Sequence, residues 1–155
     1  MGLDTSLSFA VGVSMGELCP GETLESENVT VTKYDQNDGH PYTVPVQKIF
    51  AKLVNGVRIE LPNSSFSRTR PLREYFEKME FECSGYCDNF FHGVVGLKIG
   101  KRESVSGCQT VSLKVPTEKQ VNEVIPKVKE LFKKNGFSEQ IIESVALYAI
   151  MDASY

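Results

Sequence analysis

At 155 residues the chain is long enough to bury a self-sufficient core, and residues 1–155 are expected to form a single α+β domain. Its net charge of −3, with the signs interspersed, argues against a nucleic-acid binder and is too mild for a DNA mimic. Met1-Gly2-Leu3-Asp4-Thr5-Ser6 lacks the basic segment and apolar core of a signal peptide, and no apolar run approaches the roughly 18 residues of a membrane span. A cytoplasmic protein without membrane contact is therefore expected, with its four cysteines as thiols and the sequons at Asn28 and Asn63 without meaning.

Leu7, Phe9, Val11, Val13 and Met15 alternate with Ser8, Ala10, Gly12 and Ser14, which predicts a strand whose second face is small enough to admit a helix. Cys19-Pro20-Gly21-Glu22 ends it as a turn. Val29–Tyr34 and Tyr42–Val54 read as a hairpin closed by Asp35-Gln36-Asn37-Asp38-Gly39-His40-Pro41, whose residues tolerate turn geometry. Ile49–Val54 and Val57–Leu61 read as a second hairpin about Asn55-Gly56, a pair suited to a type I′ turn, with Pro45 at an edge or bulge.

After a polar loop, Pro71 opens a short helix with Leu72, Tyr75, Phe76 and Met79 on one face. Phe81–Cys87 and Phe91–Ile99 return to sheet, connected by Cys87-Asp88-Asn89. Val11-Gly12-Val13-Ser14-Met15-Gly16 and Val95-Gly96-Leu97-Lys98-Ile99-Gly100 share one pattern; either the chain holds two related halves or two strands have converged on it. Gln109–Val115 alternates as a strand with one wet face.

Thr117 and Gln120 have the spacing of a capping box. Val121, Val124, Ile125, Val128, Leu131 and Phe132 then form one apolar stripe as far as the stop at Asn135-Gly136. Pro126 interrupts the hydrogen bonding, so a kink or a break and restart is expected there. Ser144–Met151 is apolar on both sides, as an interior strand would be, and a buried helix starting at Ser138 fits the same residues. The fold expected is an antiparallel or mixed sheet of about six to eight strands, the long kinked helix on one face and the short helix at an end.

Three groups of residues have site chemistry. Cys83, Cys87, His92 and Cys108 are ligand types for zinc, but their spacing is not that of a zinc knuckle, and small buried cysteines are the simpler reading, so no metal is expected. The loop from Asp35 fails a calcium motif at Gly39, His40 and Val46, which leaves a turn. Arg68, Arg70 and Arg73, close to Tyr75 and leading into a helix N-terminus, suit a phosphorylated nucleotide or a carboxylate patch on a partner. A Gly-x-Ser-x-Gly elbow, a P-loop, a dinucleotide fingerprint and a two-histidine zinc helix are absent, so no catalytic residues and no cofactor are expected.

Tyr34-Asp35-Gln36-Asn37-Asp38-Gly39-His40-Pro41-Tyr42, followed by Val44 and Val46, resembles a tyrosine-aspartate loop of small uncharacterised tailed-bacteriophage proteins. The later order of helix, Asn-Gly-Phe and Leu-Tyr strand is similar too. The resemblance implies a non-enzymatic binding protein that inhibits a host defence protein by protein–protein contact. The alternative is a small-ligand binder that captures a phosphorylated nucleotide through the arginine loop.

Overall fold

The computed structural model describes residues 4–22, 24–63, 68–85, 90–107, 110 and 112–154. Among them the chain runs β1 (Asp4–Ser14), α1 (Met15–Leu18), β2 (Leu24–Tyr34), β3 (Pro41–Lys52), β4 (Arg58–Leu61), α2 (Arg70–Glu77), β5 (Glu82–Ser84), β6 (Val94–Ser106), α3 (Glu118–Lys134), α4 (Glu139–Glu143) and β7 (Ala146–Ser154). This is an α+β fold in which every strand pairing among the described residues is antiparallel. The strands do not join in the one sheet expected. They divide into a four-stranded sheet, β5-β6-β1-β7, and a three-stranded sheet, β2-β3-β4. The division falls where α1 and a turn holding left-handed Gly21 (φ 62°) redirect the chain after β1.

β1 is the central strand, and its two faces differ. Val11 and Val13 lie on the same face as Val95, Ile99 and Cys83, and all five belong to the core. Val128 and Phe132 of α3 are fully buried in that cluster. The helix thus covers the large apolar face, not the small one, because its stripe loses water only against other apolar side chains. The small face, with Ser8, Ala10, Gly12 and Ser14 beside Gly96, Lys98, Tyr148 and Ile150, contributes nothing to the core cluster.

Gly12 and Gly96 are register partners, and a Cβ on either would run into the carbonyl oxygen of Val95 or Val11 on the facing strand. The shared Val-Gly pattern therefore records two strands that touch at one level. It does not mark two halves, since among the described residues a hairpin follows β1 and none follows β6.

The ends of α3 are fixed as the sequence dictates. Thr117 Oγ1 accepts from the Gln120 N–H at 3.3 Å, and the Thr117 N–H donates to Gln120 Oε1 at 2.9 Å. At the other end the Gly136 N–H donates to the Lys133 carbonyl and the Phe137 N–H to the Phe132 carbonyl, about a left-handed Gly136 (φ 78°). The rings of Phe132 and Phe137 then meet edge-on, 5.2 Å between centroids. Pro126 lies on the exposed side and the helix runs through it as one element, without the break and restart. The backbone acceptor that Pro126 leaves without a helical donor belongs to Asn122, itself an exposed residue on the solvent side of the helix. Phe76 and Phe81 complete the aromatic cluster, Phe81 at 4.6 Å from Phe132. Leu72 and Phe76 of α2 are fully buried, with Tyr75 and Met79 packed against the cluster.

Three local expectations fail. The Asn55-Gly56 turn is not type I′: only Gly56 is left-handed (φ 83°), and its N–H donates to the Leu53 carbonyl while Leu53 and Val57 close the loop, as in a type I turn followed by a bulge. Ser112–Val115 forms no strand, and Gln109 and Val111 lie outside the described residues. An alternating pattern becomes a strand only where a ladder receives it, and here Leu113 and Val115 stay exposed. β7 is a strand, but an edge strand and not an interior one. Among the described residues it pairs with β1 alone, and Leu147 and Met151 remain 41% and 72% exposed. The competing helix at Ser138 forms too, as the short α4, before the strand begins. The connection Cys87-Asp88-Asn89 lies outside the described residues.

Candidate binding site

β2 and β3 pair without interruption from Leu24↔Ala51 to Tyr34↔Pro41, yet no residue from Leu24 to Phe50 is buried. Since β4 reaches only Ile49–Lys52 of β3, the rest of the hairpin is, among the described residues, a two-stranded arm whose outer edges meet no further strand, with the Gln47 carbonyl accepting from Asn63 Nδ2 at 3.3 Å. Pro45 falls in this section, where its missing donor leaves no ladder bond lacking on the open side.

The tip is a closed turn. Asp35 Oδ1 accepts from the N–H groups of Asn37 at 2.7 Å and Asp38 at 3.4 Å, and Asp38 Oδ1 accepts from the His40 N–H at 2.9 Å. Two backbone bonds, Gly39 to Asp35 and Asp35 to His40, each 2.9 Å, complete it. The oxygens that a calcium loop would need are thus used by the loop's own backbone.

One face of the arm carries Val29, Val31, Val44 and Val46 as two facing pairs, Val29↔Val46 and Val31↔Val44, with Tyr42 opposite Lys33 beyond them. The valines are half-buried against one another, and Tyr42 is 48% exposed. The base of the same face is a charged latch: Arg58 Nε meets Glu25 at 2.9 Å, Arg58 Nη2 meets Glu27 at 3.4 Å and Lys52 Nζ meets Glu25 at 3.1 Å. Arg58 also lies over the Phe50 ring at 4.1 Å. The arm therefore offers an apolar strip flanked by backbone edges that no described strand pairs, the chemistry that a partner's strand or apolar surface takes up.

The arginine loop is arranged otherwise. Arg73 donates from Nε to Glu77 at 2.9 Å, from Nη1 to the Gly85 carbonyl at 3.1 Å and from Nη2 to the Cys83 carbonyl at 2.9 Å. Its guanidinium thus joins α2 to the start of the loop after β5. Tyr75 OH accepts from Asn55 Nδ2 at 3.3 Å and so ties α2 to the β3–β4 turn. Arg70 is exposed; Arg68 is half-buried, its Nε enclosed and without a hydrogen-bond partner among the described residues. Arg73 borders a depression of about 160 Å³ on the small face of the sheet together with Lys98 and Arg102, and neither Arg68 nor Arg70 lines it. That volume is below the several hundred Å³ that enclose a small-molecule ligand.

Cys83 lies buried under α2, its Sγ 3.7 Å from the Arg73 carbonyl. Burial, reinforced by the Glu77 carboxylate and opposed by Arg73 and Lys98, pushes its thiol up to about 12, so it is neither a nucleophile nor a ready thiolate ligand. Cys87 and Cys108 are outside the described residues, and among those described no three His, Cys, Asp or Glu side chains gather as a metal site. No helix of the described residues is long and apolar enough to cross a membrane.

Sequence reasoning placed the hairpin but not its exposure. The valine alternation reads as a core face, and the signals against that were Pro41 and Pro45 and the run of Thr, Asn and Gln on the other face. Comparison with known protein families, with curated proteins and with solved structures gives no match to this chain.

Proposed function

We propose that the chain is a non-enzymatic binding protein whose arm, Leu24–Phe50, engages a protein partner. The likeness of its tip sequence to tailed-phage proteins points to a host protein, inhibited by contact, as the partner class. The observation that carries the reading is a long hairpin with no buried residue. Two-stranded hairpins are marginal alone, so an arm of this length is stabilised by whatever it docks against. Each half-exposed valine would contribute roughly 1 kcal/mol on burial at an interface. Capture of a phosphorylated nucleotide by Arg68, Arg70 and Arg73 has less to draw on, because the donors of Arg73 are already engaged.

The test is retention from bacterial lysate on immobilised protein, wild type beside Val31→Asp/Val44→Asp, both checked for equal melting temperature. A protein held by the wild type and lost from the variant supports the arm. Equal retention by both, or stabilisation by a nucleotide that Arg70→Ala abolishes, overturns it.

A further inference from the structure

We infer that β7 is a dimerisation edge: two copies of the chain pair through it, antiparallel about a two-fold axis at Ala149, with Leu147 of each copy against Met151 of the other. Among the described residues β7 is outermost in its sheet and pairs with no strand but β1, so along Ala146–Met151 alternate N–H and C=O groups on the outer side meet no described strand. Natural edge strands are blunted by lysine, proline, bulges or a cover. Ala146-Leu147-Tyr148-Ala149-Ile150-Met151 has no charge and no proline, and its register with β1 is unshifted from end to end. Such a run templates pairing with another strand.

The choice of a second copy as occupant rests on self-complementarity. Leu147 and Met151 partner Val11 and Leu7 of β1, so they share a face, and at 41% and 72% exposed they are the large apolar side chains that β7 leaves in water. With the axis at Ala149 they meet each other twice, and small Ala149 faces itself where the strands cross. On the opposite face Tyr148 meets Ile150 twice, an aromatic–β-branched pair of the kind that stabilises sheets. Charge fits the same register. Asp152, held 3.8 Å from Arg102, falls opposite Ala146, whereas an axis at Asp152 would set two carboxylates face to face. The product is the four-stranded sheet doubled, with α3 of both copies on one side. This surface is separate from the arm, so the dimer forms whether or not the arm has the role proposed for it.

Sedimentation of the full chain over a wide concentration range tests the inference with three variants. Leu147→Lys and Met151→Glu change exposed side chains, and unaltered melting of dilute protein confirms that each is folded. Each alone is expected to weaken the dimer about tenfold, by setting a charge against an apolar partner. The double variant is expected to recover it, because the introduced ammonium of one copy would then face the introduced carboxylate of the other at both symmetry-related places. A wild-type chain that stays monomeric, single variants that leave the dimer unchanged, or a double variant no tighter than the singles would each overturn it.

Discussion

The sheet around β1 and the arm of β2 and β3 are built from strands of nearly the same length and from the same alternating valines, yet one is anchored and the other is not. Val11 and Val13 are wholly buried, enclosed by α3, β6 and the aromatic cluster. Val29, Val31, Val44 and Val46 face each other across a ribbon and, half-exposed, are not covered as Val11 and Val13 are among the described residues. Pairing alone thus makes a strand, while stability comes from what covers it. A region whose strands pair only with each other and whose apolar face is half-exposed is suited to binding through that face.

That contrast is open to direct attack. Val128→Asp places a charge among Phe132, Val11 and Val13 and is expected to destabilise by on the order of 4 kcal/mol or more, giving insoluble or unfolded protein by circular dichroism. Gly96→Ala forces two strand backbones apart and is expected to lower stability by about 3 kcal/mol in denaturant titration.

A smaller effect comes from pH. The Cys83 thiol is raised from 9.0 to about 12 in the folded chain. Its contribution is therefore complete below about 9 and is lost as pH rises through about 12. Stability should fall across that window in the wild type and less steeply in Cys83→Ala, and Cys83 should resist alkylation near neutrality until the protein unfolds. The smallest effect sharpens the comparison most. Val44→Asp, the same substitution as at Val128 but on the arm, is expected to change stability by about 0.5 kcal/mol or less. A large loss there would mean that the arm is part of the core after all.

The sequence was most informative where a signal is local. The Thr117–Gln120 box, the apolar stripe and the Asn135-Gly136 stop define α3 through contacts within a few residues, and the helix forms between them. Pairing between distant segments is not written locally. Nothing in the alternation of β1 and β3 says that they belong to different sheets, and nothing in Leu113 and Val115 says that no ladder will receive them. The run from Ala146 to Met151 shows the same limit, since an uncharged strand reads alike whether neighbours flank it on both sides or one side stays open. The arginine loop misled in a related way. Arg73 has the chemistry of an anion fork, but its engagement with the carbonyls of Cys83 and Gly85 depends on where β5 passes.

The latch at the root of the arm has one more effect. Glu25, Glu27, Lys52 and Arg58 are partly wet, and ions in solution weaken partly wet pairs while leaving greasy contacts intact. Ionic strength therefore acts on the root of the arm and not on the apolar core. Brine weakens the charged root of the hairpin and leaves the buried aromatic cluster of the body as it was.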